Sequence, residues 1–288
     1  MFRLRLAKKL SDFSELVMFQ HSIFSLPFIF IAMVVASGGW FGWKLTTLGI
    51  LAAVSARNYA MGVNRYLDRD IDALNPRTKN RPSVDGRVDE GQMLLFIFVN
   101  AGIFVATAWA INPLALKLSI PILAILGAYT LFKRFSSMAH IVLGISLGLA
   151  PIAGAVAVTQ SIPVWSLWLS AGVTFWVAGF DLLYSLQDMD FDREHGLHSI
   201  PSKLGAERTL LLAAIFHTLT ILFWALFVKD SSLHWIGWSA VLFSASMLTY
   251  EHILVRRDFT KIDRAFFTVN GYLGFVFLIL VILDVAIW

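Results

Sequence analysis

Long apolar runs alternate with shorter polar connections along the whole chain. A helix needs roughly 20 predominantly apolar residues to cross a bilayer. Nine segments reach that length: 16–37, 45–66, 92–111, 114–132, 138–158, 164–186, 209–228, 233–254 and 265–287. Outer-membrane strands are short and alternate in polarity, and these runs do neither. The pattern predicts an all-α polytopic membrane protein, with nine transmembrane helices around a central cavity open to the cytoplasmic side. Two connections, 67–91 and 187–208, are long and polar and are expected to cap that cavity; long loops in compact proteins are usually functional. Residues 1–288 read as one transmembrane domain with pseudo-repeat halves, 1–135 and 136–288. In each half a span ends in acids and opens into a polar loop.

Composition narrows the class. Hydrophobic residues make up 58% of the 288, and charged residues only 15%, against about 25% charged in soluble domains. The absence of cysteine excludes disulfides, zinc-thiolate sites and thiol chemistry. A net charge of +4 could suit nucleic acid in a soluble domain; here it reports basic loops on one side of a bilayer, and no nucleic-acid partner is expected. With the N-terminus in the cytoplasm, Lys44, Lys117 and Lys229 fall outside and Arg57 lies within a span, which leaves 19 of the 23 Lys and Arg on the inner side. That asymmetry predicts a multi-pass protein of the bacterial inner membrane with its C-terminus outside. Arg3, Arg5, Lys8 and Lys9 precede the first run, and no small-residue cleavage site follows them, so no cleaved leader is expected.

Two acidic constellations carry candidate chemistry. The second span ends Asn64-Arg-Tyr-Leu-Asp68-Arg-Asp70-Ile-Asp72. A four-residue step on a helix drifts only about 40°, so Asn64, Asp68 and Asp72 are expected on one face, with Asp70 turned away. The sixth span ends Asp181-Leu-Leu-Tyr184-Ser-Leu-Gln-Asp188-Met-Asp190-Phe-Asp192. Asp181, Asp188 and Asp192 fall within about 20° of one line, Tyr184 about 60° off it, and Asp190 elsewhere. Paired oxygen-rich faces at a membrane surface suit Mg²⁺, which takes carboxylate oxygens and completes its shell with substrate phosphates. Such ions would bridge a diphosphate and stabilise it as a leaving group. Arg77, Lys79 and Arg81 follow the first cluster, and Arg193 and Lys203 the second; they are candidates for contacting the phosphates.

At these residues the chain resembles the UbiA superfamily of intramembrane prenyltransferases. Asn64, Asp68 and Asp72 match its first motif, Asn-x3-Asp-x3-Asp, and the stretch from Asn75 through Arg77, Lys79 and Arg81 to Pro82 resembles the basic segment that follows it. Asp188 and Asp192 match the second motif, Asp-x3-Asp, with Asp181 and Tyr184 at the usual upstream places. Lys133-Arg134 resembles the basic pair of 4-hydroxybenzoate prenyltransferases. His21 to Pro27 and Gly196 to Pro201 look like a bacterial 4-hydroxybenzoate-prenyltransferase-like subgroup, some of whose members are thought to serve menaquinone synthesis by the futalosine route. One departure is Ser83-Val84-Asp85-Gly86, where the family commonly has Leu followed by a small residue and Gly. The resemblance implies Mg²⁺-dependent transfer of a polyprenyl group from polyprenyl diphosphate to the ring of an aromatic acid acceptor in respiratory quinone synthesis. The acids Asp68, Asp72, Asp188 and Asp192 would be catalytic through the metal, with Asn64 a further ligand. The acceptor would be 4-hydroxybenzoate (toward ubiquinone) or 1,4-dihydroxy-6-naphthoate (toward menaquinone).

Arg57 is the other informative residue. A charge deep in a span costs roughly 2.5–3.5 kcal/mol, so it is expected to have a partner. Asp181, another carboxylate, or an acidic acceptor would each serve. Arg134 is an alternative acceptor contact, and Tyr184 a candidate for the cavity wall. His21 is expected to be packed or interfacial, His195 and His198 lack metal-ligand company and read as solvated loop residues, and Glu251, His252 and Asp284 are expected to have no site. An ion-coupled transporter is the rival from another class, but its acids would sit near the midplane rather than gathering at helix ends.

Overall fold

The computed structural model describes residues 9, 11–17, 26–264 and 268–288, and among them all regular structure is helical. His21, with the rest of 18–25 in the first expected span, and 265–267 at the start of the ninth lie outside the described residues. The long helices are α1 (Leu26–Ser37), α2 (Gly42–Leu67), α4 (Glu90–Ile111), α5 (Pro113–Ala128), α6 (Ala139–Thr159), α7 (Val164–Ser185), α10 (Ala206–Asp230), α11 (Trp235–Arg257) and α12 (Asn270–Ile287). Short helices α3 (Arg69–Leu74), α8 (Met189–Glu194) and α9 (Ile200–Leu204) build the two polar connections.

Local chemistry sets the ends. Asp89 accepts a bond from Gln92 N–H at 2.9 Å to start α4, and Asn112 accepts one from Ala115 N–H at 2.8 Å to start α5, with Pro113 at the first helical position. Ser199 and Ser202 cap α9 reciprocally. Helix α6 stops at Gln160, which takes a left-handed φ of 55°.

Among the described residues six helices are long and apolar enough to cross a membrane: α4, α5 with its 3₁₀ continuation to Arg134, α6, α7 with its continuation to Glu194, α10 and α12. The other three expected spans fall on α1, α2 and α11. Helix α1 has 12 described residues. Helices α2 and α11 are long but carry charges, and part of that charge points inward: Arg65 is 4% exposed and Glu251 1%. A helix with charge on its protein-facing side falls short of a simple apolarity test.

Between lipid-embedded helices the hydrophobic effect is weak, so close contact depends on small residues. The α6–α7 seam is built this way. A Cβ on Gly144 would collide with the backbone oxygen of Thr174, and one on Gly148 would meet Thr174 and the Ser170 carbonyl oxygen. Farther along α6, a Cβ on Gly154 would meet Ile29 O of α1 at 2.5 Å. Beside this seam Phe28, Trp176, Trp224, Phe227 and Phe277 form the buried aromatic core that joins α1, α7, α10 and α12.

That core encloses a polar chain. Trp176 Nε1–H donates to Asn270 Oδ1 and Asn270 Nδ2–H to Glu251 Oε1, both at 2.7 Å. His217 contacts His252 at 3.0 Å. Glu251 and His252, expected to have no role, thus tie α7, α10, α11 and α12 together. Asp284 accepts bonds from His234 N–H and Gly237 N–H at 2.9 and 2.8 Å, and so caps α11.

Candidate functional site

Both motif helices end in the same local build. Helix α2 stops at Leu67, Asp68 occupies a bend with φ −93° and ψ 3°, and α3 begins. Helix α7 stops at Ser185, a 3₁₀ turn spans Leu186–Asp188, and α8 begins. Each helix is interrupted inside its motif, yet Asp68 N–H and Asp72 N–H still reach Asn64 O and Asp68 O at 3.0 and 2.8 Å, and the Asn64 and Asp68 side chains bond each other on one side. The breaks leave the residues converging all the same. Asn64, Asp68, Asp72, Asp181, Tyr184, Asp188 and Asp192 line one polar cavity of about 300 Å³.

Within it the carboxylates meet cations of the chain. Asp68 is 1% exposed, and its Oδ2 accepts from Asn64 at 2.9 Å, Thr130 at 3.0 Å and Lys133 at 2.5 Å. Its Oδ1 is buried with no partner. Asp72 takes Arg81 at 2.7 Å. Asp188 takes Arg77 through two parallel bonds, 3.0 and 2.5 Å, and Asn75 at 3.2 Å. Burial alone would lower the Arg77 guanidinium; its fork onto Asp188 outweighs this and holds it above its ordinary value. Arg77 also donates to Tyr184 Oη at 3.3 Å and lies 5.6 Å from its ring centroid. Buried Arg65 donates to Asn64 Oδ1 at 3.1 Å and comes within 4.0 Å of Asp72.

The basic residues divide into two groups. Arg77 and Arg81 line the cavity. Lys79, Arg193 and Lys203 are exposed and do not line it, and Arg193 pairs with exposed Asp190 at 3.7 Å. Arg134 does not line it either. It clamps Asp70 at 2.6 and 3.0 Å, and this bond holds Asp70 below the usual carboxylate range. Lys133 takes the inward place instead, because the 3₁₀ turn Tyr129–Arg134 points adjacent side chains in different directions.

A second, apolar cavity of about 320 Å³ lies among α1, α2, α4, α5 and α6. It shares Tyr129 and Leu143 with the polar one. Arg57 lines it. Of the partners expected for Arg57, Asp181 is not the one it takes here: Asp181 is bonded to His140 at 2.7 Å, and the Arg57 Nε is buried without a partner.

Sequence reasoning missed His140, Arg65, Asn75, Thr78, Tyr129, Thr130 and Ser199, all of which line the polar cavity. Of these, Tyr129 offered a signal, standing four residues before Lys133 of the basic pair, a step that would put both on one side of an α-helix. The others lie on separate elements with no periodic relation. His198 lines the cavity rim, whereas His195 stacks on Phe191 outside it.

The donor set fits Mg²⁺. It is all hard oxygen, and buried Asp68 Oδ1 is an orphaned acceptor. Among the described residues no three His, Asp or Glu already converge as a metal cage. Mg²⁺ takes carboxylate oxygens and completes its shell with water and substrate phosphate.

A helical membrane protein with a carboxylate-rich pocket beside an apolar cavity is the class that fold and site define. The family comparison makes this specific: residues 25–280 match the UbiA prenyltransferase family, and the chain belongs to that family. A solved UbiA homologue from Aeropyrum pernix K1 superposes with a TM-score of 0.83 at 31% identity, covering 92% of this chain and 98% of that one. A UbiA homologue from Archaeoglobus fulgidus, solved bound to DMAPP and Mg²⁺, shares the fold with a TM-score of 0.76 at 19% identity over 96% of this chain and 100% of that one. A 4-hydroxybenzoate octaprenyltransferase of Herminiimonas arsenicoxydans is 29% identical over 265 residues, 89% of this chain and 90% of its own length.

Proposed function

We propose that this protein moves a polyprenyl group from its diphosphate to the ring of an aromatic acid of the 4-hydroxybenzoate type, with Mg²⁺, in respiratory quinone synthesis. The observation that carries the reading is the junction of the two cavities. One is lined by both acidic motifs and the other is apolar, and they meet at Tyr129 and Leu143. An amphiphile with an anionic head and an isoprenoid tail fits across that junction. We further propose nine membrane crossings in a bacterial inner membrane, with the acidic pocket toward the cytoplasm.

Asn64, Asp68, Asp72, Asp188 and Asp192 would hold the metal, which when bound neutralises the diphosphate and makes it a better leaving group. Arg77, Arg81 and Lys133, now paired with acids, are placed to take up phosphate oxygens. Lys79, Arg193 and Lys203 serve at most as an outer basic rim. The tail lies in the apolar cavity, which keeps water from the allylic cation after the C–O bond breaks. The Tyr129 ring stands at the junction, where an aromatic face stabilises positive charge. Arg57, whose Nε is buried without a partner in the apolar wall, is placed to pair the acceptor carboxylate. Ring attack forms the new C–C bond; Asp181 then takes the ring proton, and the C–H electron pair restores aromaticity.

The test is purified protein with Mg²⁺, a polyprenyl diphosphate and each acid in turn. Prenylation of 4-hydroxybenzoate is expected; selective prenylation of 1,4-dihydroxy-6-naphthoate would move the protein to menaquinone synthesis by the futalosine route. EDTA should abolish turnover, and turnover that survives EDTA would refute the metal role. Arg57→Ala should raise the acceptor KM about tenfold or more with the diphosphate KM unchanged, as loss of a charged hydrogen-bonded contact does. By contrast, Arg134→Ala and Asp70→Ala break an exposed pair and should change the rate at most about threefold. A large loss in either would return Arg134 to the acceptor site.

A further inference from the structure

His140 stands at the start of α6, 5% exposed, against the floor of the polar cavity. One ring nitrogen, Nδ1, lies 2.7 Å from Asp181 Oδ2. The other, Nε2, receives the backbone N–H of Ile200 at 3.4 Å. An N–H can only donate, so in this contact Nε2 is the accepting nitrogen of the ring. The hydrogen must then sit on Nδ1 and point at the carboxylate. Asp181 is thereby held on one oxygen, while its side chain keeps 22% exposure in the cavity. Ile200 opens α9 in the second polar connection, next to Ser199, which bonds Asp192.

We propose that His140 is a positioning residue for rearomatisation, which aims the Asp181 carboxylate at the acceptor ring and ties that aim to the placement of the second polar connection. This rests on the prenyl-transfer reading above and deepens it. A bond runs from the segment beside Asp192 through Ile200 N–H and the imidazole to Asp181, so a displaced connection also misdirects the proton acceptor. In the step served, the ring C–H bond breaks, its electron pair returns to the ring, and the proton passes to Asp181 before leaving through the polar cavity.

The experiment compares wild type with His140→Ala and His140→Asn, using Mg²⁺, geranyl diphosphate and the acid that wild type prenylates, with and without deuterium at its reacting ring positions. In wild type, C–O ionisation is expected to limit the rate, with no isotope effect. His140→Ala should lower kcat about 10²-fold, the size typical of a disturbed proton transfer, with the diphosphate KM unchanged and a primary isotope effect now visible. His140→Asn keeps an N–H donor near the Nδ1 position and should recover most of kcat and suppress the isotope effect. Should His140→Ala fail to fold, Ile200→Pro removes the backbone donor at a helix position that accepts proline, and should lower kcat with the same isotope effect. Loss without an isotope effect, loss in KM alone, or an Asn variant as impaired as Ala would overturn the proposal. A wild-type protein inert toward every aromatic acid would instead overturn the function beneath it, and this inference with it.

Discussion

Asp68→Asn should reduce prenyl transfer by about 10³-fold or more while leaving the folded protein intact. The size follows from removing charge-stabilising machinery at a developing pyrophosphate leaving group. Asn has the shape of Asp and can still meet Asn64, Thr130 and Lys133, which crowd Asp68 Oδ2. What it removes is the negative charge and the free acceptor Oδ1, the one oxygen of this side chain that the protein leaves unused. The effect should therefore appear in kcat, with an unchanged melting temperature in detergent and a weakened Mg²⁺ dependence. Asp188→Asn should behave alike, since its oxygens face the same cavity from the other motif. Asp190→Ala should be close to wild type, because that side chain is 83% exposed and pairs with Arg193 at 3.7 Å. An Asp68→Asn enzyme within tenfold of wild type would end the case for this pocket as the diphosphate site.

The largest loss of stability is expected from Gly144→Leu. A Cβ there has no room: it meets the Thr174 carbonyl oxygen, and Thr174 C and Ala178 Cβ lie at 3.2 and 3.3 Å. Backbone in a neighbouring helix cannot step aside as a side-chain tip can, so α6 must leave α7. Overpacking costs about 1–3 kcal/mol even where side chains can adjust, and at this seam about 3 kcal/mol or more is expected. The readout is the melting temperature and the yield of folded protein in detergent. Gly102→Ala is the control, because nothing lies within 4 Å of its Cβ position; it should be neutral or stabilise by up to about 1 kcal/mol through helix propensity. If Gly144→Leu melts like wild type, the close α6–α7 approach is wrong. His140 lies one turn before Gly144, so the same displacement would also pull the imidazole from Asp181.

Much of the architecture was legible because lipid imposes it. Apolar runs near 20 residues mark helices wherever charge is absent, and six of the expected nine pass that test in the structure. The acids were legible as well, since a four-residue repeat of Asp is unusual at the end of an apolar run. The helix breaks at Asp68 and at Leu186–Asp188 were not. Nothing in Leu67-Asp68-Arg69 or Ser185-Leu186-Gln187 is a strong breaker; the breaks coincide with long-range ties, Lys133 to Asp68 and Arg77 to Asp188. Those ties join residues 65 and 111 positions apart, and periodicity does not see such distances. The direction Arg134 takes was hidden in the sequence for a related reason. A basic pair shows that one member can face inward, and only the 3₁₀ turn decides that it is Lys133. His140 looked like any lone histidine, and its meaning comes from two other segments meeting it.

The cations held against three of the four motif acids have a bearing on how the molecule matures. Lysine and arginine already counterbalance Asp68, Asp72 and Asp188, so the polypeptide does not await an ion before it can close, unlike domains whose metal supplies the energy of folding. A chelator should silence this protein without denaturing it, and its helical circular dichroism should persist until magnesium is returned and turnover resumes.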